Sequence, residues 1–142
     1  MAVLAQADAN DLKNCWRRLD IDPAFRMLRG PETGLVTVRG RMGGTGRPFN
    51  FGDTTVTRAT VRMESGAIGH ACRMGRDRTA ARLAAVIDAL ADDRATDSGL
   101  ADRVEHDVIA PLATAIAERD RRRNSETAAT RVEFFTMVRG DD

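Results

Sequence analysis

Leu83, Val86, Ile87 and Leu90 fall at i, i+3, i+4 and i+7, an apolar stripe of helical period, with Asp77 placed to cap its start and alanines filling much of the rest. Leu100, Val104, Val108, Leu112 and Ile116 recur every four residues and predict a second helix, which Pro111 should kink. Near the start, Val3, Leu4, Leu12, Cys15, Trp16 and Leu19 keep a helical spacing interrupted at Ala9 and Asn10, so two short helices or one bent helix open the chain. Trp16, the only tryptophan, lies on that stripe, where core packing or a partner interface is expected of it. Asp22 and Pro23 break the helix.

Between the helical stretches the period is two. Phe25 to Arg29 reads as a first strand, RGPETG as a turn, and Leu35 to Met42 as a second strand with Val36, Val38 and Met42 on one face and Thr37, Arg39 and Arg41 on the other. After the loop GGTGRPFNFG, the run Thr54 to Met63 sets Thr57, Ala59, Val61 and Met63 on an apolar face opposite Arg58, Thr60 and Arg62. A turn at Glu64 to Gly66 leads into Ala67 to Met74, a hairpin partner in which Ile68, Cys72 and Met74 are expected inward and Ala71 and Arg73 outward. ERDRRRNSE is too polar to bury, and Arg131 to Arg139 has the composition of a last strand. These periods imply an α+β fold: an antiparallel sheet over about residues 25–74, open to joining by 131–138, flanked by N-terminal helices and a C-terminal helical pair. The length of 142 residues suits one domain, 1–142.

Charge and composition narrow the functional classes. The formal net charge of +1 does not suggest a strongly basic polyanion binder, although local patches can still hold anions. Of the 22 basic residues Lys13 is the only lysine, an imbalance that a GC-rich genome explains, so the position of the arginines matters more than their number. The chain has no tyrosine and few aromatics, and Arg121 to Arg123 reads as a solvated segment, so a base-stacking nucleic-acid module is not expected. Short apolar runs predict no membrane span, and the first residues lack the pattern of a signal peptide, which together suggest a cytoplasmic protein. Cys15 and Cys72, far apart and without metal-ligand spacing, are expected to be plain thiols.

Few residues carry candidate chemistry. The loop containing Gly43, Gly44, Thr45 and Gly46 has the backbone freedom to turn N–H groups on an anion, but it lies between strands and lacks GK[ST], so neither the P-loop nor the dinucleotide fingerprint fits. A mobile or partner-ordered loop is the plainer reading. Arg39, Arg41, Arg58 and Arg62 would share one sheet face if their strands pair as neighbours, bordered by Arg47 and Arg73, and such a face suits either a polyphosphate or an acidic partner surface. Arg76 is a further anion candidate beside the start of the helix that Asp77 caps. His70 is a weak catalytic candidate on the face expected to be buried, with no sequence neighbour to complete a catalytic set, and His106 reads as surface. Two histidines and two scattered cysteines predict no metal held by this chain.

Three blocks in this order, RGPETGLVTVRGRMGGTGRPFNFGDTTVTRATVR, GAIGHACRMGRD and FFTMVRG, closely resemble the PhnG family of the bacterial carbon-phosphorus lyase system. The resemblance runs from about Leu28 to Leu90 and resumes at Thr130. Gly30 stands where the family pattern has a second proline, Ala59 where a cysteine is common, and Cys72 where an aromatic is usual, so a thiol role at position 59 does not carry over. The resemblance implies an accessory subunit of a multiprotein transferase, alpha-D-ribose 1-methylphosphonate 5-triphosphate synthase, beside PhnI-type, PhnJ-type and PhnH-type subunits. In that scheme the complex takes MgATP and an alkylphosphonate, releases adenine, and places the nucleosidase-type chemistry on the PhnI-type subunit. No cofactor is expected on this chain, and no catalytic residue carries over to it. Two readings stay open: the arginine face steers triphosphate and phosphonate, or the chain is a scaffold that never touches substrate.

Overall fold

The computed structural model describes residues 2–42 and 45–130. Along them run α1 (Ala2–Gln6), α2 (Ala9–Leu19), β1 (Phe25–Arg41), β2 (Pro48–Met63), β3 (Ile68–Met74), α3 (Arg78–Asp92), α4 (Ser98–Val104) and α5 (Ala110–Ala129). The strands form one antiparallel sheet in the order β1-β2-β3. The α+β class is thus the one the periodicity implied, while the strand expected at 131–138 lies outside the described residues.

The helix starts follow from their caps. Asp8 accepts hydrogen bonds from the Asn10 and Asp11 N–H groups at the head of α2, and Asp77 accepts from Ala80 N–H at 2.8 Å at the head of α3. Lys13 on α2 donates to the same Asp77 carboxylate at 2.8 Å, which ties the two helices together. α3 covers one face of the sheet with Ala80, Ala81, Ala84, Ala85 and Ala89, all buried. Small side chains let it approach closely: a Cβ on Gly69 of β3 would stand 2.0 Å from the Ala85 carbonyl oxygen. The core then fills with Leu12, Val61, Val86, Ile87, Val104, Val108 and Leu112, and Trp16 packs half-buried against it.

Four expectations are corrected. RGPETG is not a turn, because β1 continues through it for 17 residues. Its register with β2 steps from Met27/Val61 to Arg29/Thr60 and then to Glu32/Arg58, so the extra residues are absorbed as bulges, with Gly30 at φ +45°, a conformation proline cannot adopt. The facing of β3 is reversed: Gly69, Ala71 and Arg73 point inward, while Ile68, His70, Cys72 and Met74 are exposed. Arg73 is buried because its guanidinium donates to the carbonyls of Leu4 and Ala7, capping the C-terminal end of α1. Finally, the distortion expected of Pro111 takes the form of a π-turn at Glu105–Ile109, which lets the chain run on into α5 through the polar segment to Ala129.

Candidate functional site

The sheet has a supported half and an unsupported half. β3 pairs with β2 only from Val56 to Arg62, and buried side chains on β2 begin at Val56. Beyond that point Leu35–Arg41 and Pro48–Thr55 continue as a two-stranded ribbon whose large apolar side chains meet solvent: Leu35 is 69%, Met42 76% and Phe51 78% exposed. Val36, Val38 and Phe49 are exposed as well, and the Phe49 and Phe51 rings form a tilted aromatic pair with centroids 6.3 Å apart. A ribbon of this kind has little stability of its own in water. At its tip Gly43 and Gly44 lie outside the described residues. Gly46 N–H donates to the Met42 carbonyl at 3.1 Å and the Gly46 carbonyl accepts from Arg41 at 3.0 Å, so this amide is engaged within the turn and not turned toward an anion.

The expected four-arginine face divides in two. Val36 lies opposite Thr54 and Val38 opposite Gly52, positions that share the face of Arg58 and Arg62, so by alternation Thr37, Arg39 and Arg41 belong to the opposite face. Arg58 shares a carboxylate on the neighbouring strand: Glu32 accepts from it at 3.3 Å and from Arg29 at 2.6 Å. Asp53 accepts from the Thr37 hydroxyl at 2.7 Å. Arg62 stands opposite Arg26, and neither makes a hydrogen bond or ion pair with a described residue. Two like charges directly paired across a sheet repel unless an anion stands with them. They border an open groove with Ala24, Phe25 and Glu64. Arg26 and Glu32 escaped the sequence reading because only the bulged register brings them beside Arg62 and Arg58. Arg47 is exposed just past the ribbon tip, and Arg76 is exposed one residue before the Asp77 cap.

His70 is exposed, contrary to expectation. Its Nδ1 lies 3.2 Å from the Thr60 hydroxyl, and Asp88 accepts from its main-chain N–H at 2.9 Å. Among the described residues no three His, Cys, Asp or Glu side chains converge as a metal site, and no described helix is long and apolar enough to cross a membrane. Burial pushes the Cys15 thiol above its ordinary range, which suits a core residue and not a nucleophile. The surface thus carries an apolar ribbon edged with arginines, and a separate guanidinium pair.

The family model for the phosphonate metabolism protein PhnG matches residues 1–140. The chain belongs to the PhnG family. It is 48% identical, over a 145-residue alignment spanning 100% of this chain and 88% of the relative, to the alpha-D-ribose 1-methylphosphonate 5-triphosphate synthase subunit PhnG of Rhizobium meliloti (strain 1021). The first two blocks of the resemblance, residues 29–62 and 66–77, take in most of β1, nearly all of β2, β3 and the α3 cap, and so include the exposed ribbon.

Proposed function

We propose that this PhnG-family chain is the accessory PhnG subunit of an alpha-D-ribose 1-methylphosphonate 5-triphosphate synthase, contributing a docking surface and not the reacting groups. The observation that carries the proposal is the full-length 48% identity to a subunit of that synthase. The ribbon supports it physically, since exposed apolar side chains interleaved with arginines suit burial against another subunit. The partners are PhnI-type, PhnJ-type and PhnH-type subunits, with MgATP and an alkylphosphonate as substrates at the level of the complex, in the cytoplasm where ATP is available. Co-expression with those three subunits should give one complex on gel filtration. A chain that elutes alone, apart from an assembled set of the other three, would overturn the proposal.

A second contribution is favoured by the Arg26/Arg62 pair, whose opposed guanidiniums, without a partner among the described residues, suit a phosphate or phosphonate oxygen. Replacing both (Arg26→Gln with Arg62→Gln) should lower adenine release from ATP and methylphosphonate by about tenfold or more while leaving assembly intact. Unchanged release would reduce the chain to a scaffold.

A further inference from the structure

The two outer edges of the sheet are treated differently. On β3, which is seven residues long, the edge is short and Asp88 of α3 accepts from the His70 main-chain N–H at 2.9 Å. On β1 the half nearest the body is broken by the bulges around Leu28 and Gly30–Pro31, features that discourage the addition of another strand. From Glu32 to Val38 neither device is present. The register with β2 is unbroken, the run Thr33 to Val38 (TGLVTV) carries no charge, and among the described residues no strand lies along its outer side. A regular, uncharged, β-branched edge is a template for strand pairing.

We propose that Thr33–Val38 of β1 receives an extended strand from a partner subunit of the synthase, apolar at alternating positions and bearing a carboxylate where it passes Arg39 and Arg41. This inference rests on the reading of the chain as a synthase subunit. The form of the occupant follows from where the exposed side chains lie: Leu35 is on one face of the ribbon, Val36 and Val38 on the other. A helix or loop laid on one face would leave the other wet, whereas an added strand extends both faces and satisfies the open backbone groups of the edge. Its acidic character follows from the charges at the far end of the run. Arg39 has no described partner, Arg41 meets only a neutral carbonyl among the described residues, Arg47 is exposed nearby, and Asp53, bonded to the neutral Thr37 hydroxyl, is a single carboxylate against these three guanidiniums. A carboxylate on the incoming strand would complete these cations and set its register.

The test compares hydrogen exchange of the full-length chain, free and within the co-expressed complex, over peptides covering residues 32–39. Exchange across Thr33–Val38 should slow by about tenfold or more on assembly. The exposed double substitution Val36→Lys with Val38→Lys, which puts charge on the edge without touching the core, should reduce co-purification by about tenfold, as should Arg39→Glu with Arg41→Glu. If the wild-type complex forms but exchange at 33–38 does not change and the lysine variant co-purifies normally, the strand-addition proposal falls while the subunit reading stands. Protection in the free chain of those amides of 33–38 that face away from β2 would also overturn it: if concentration-dependent, it assigns the edge to a second copy, and if not, to the chain's own remaining residues. Failure of the wild-type chain to assemble at all would instead remove the subunit reading.

Discussion

Arg73 is a cation with 7% of its surface exposed, hydrogen-bonded to main-chain carbonyls and near enough to the Asp77 and Asp8 carboxylates to feel their charge. Burial draws its pKa below the ordinary arginine range, with Asp77 and then Asp8 pulling it back, yet a guanidinium keeps its charge at neutral pH and its fork suits two carbonyls at once. Arg73→Ala should therefore destabilise the protein by about 2 kcal/mol and speed exchange in residues 2–7, with Arg73→Lys restoring little; a variant as stable as wild type in urea would deny it the role of fastening α1. Asp77 makes a pH-dependent contribution. The hydrogen bond from Lys13, then that from Ala80 N–H, holds its carboxyl below the usual aspartate range. The folded state thus resists protonation more than the unfolded state, so the contribution is complete above the unfolded value of about 3.9 and is lost as pH falls through the depressed folded value. Asp77→Ala should cost about 1 kcal/mol at neutral pH, and its deficit relative to wild type should shrink on acidification below about pH 4, read from paired denaturation curves.

At the level of elements, hydrophobic period was a good guide where side-chain size and burial agree and a poor one where they part. Val86, Ile87 and Leu90 declared α3 because long side chains fill the core beneath it, and Thr57, Ala59, Val61 and Met63 face inward as their alternation implied. β3 went the other way. Ile68 and Met74 are its larger apolar residues and point outward, since α3 passes so close that only Gly69 and Ala71 fit beneath it, and Arg73 enters the core through hydrogen bonds that no periodicity records. The same close approach predicts that Gly69→Ala lowers stability by about 1–3 kcal/mol by forcing α3 off the sheet, measurable as a fall in the urea midpoint. An unshifted midpoint would mean that α3 can yield. The site was legible in part: the ribbon arginines could be found by sequence, but the supposed turn at RGPETG hid the bulges that fix their register. Glu32 consequently went unseen as the partner of Arg58, and Arg26 as the companion of Arg62.

For the molecule as a whole, a small helical and sheet body carries a ribbon that its own described residues do not cover, and the PhnG family model spans both, over residues 1–140. Exposed apolar side chains and arginines lie together on that ribbon, which suits the docking role proposed for the chain. That account places this chain's importance in the complex and not in isolation. The most direct measurement is adenine release from MgATP and methylphosphonate by the co-expressed subunits, with and without this chain. Release should fall to background when the chain is omitted and return when it is restored, while the isolated chain releases none. Equal release by the PhnI-type, PhnJ-type and PhnH-type subunits alone, or release by this chain acting by itself, would contradict the account.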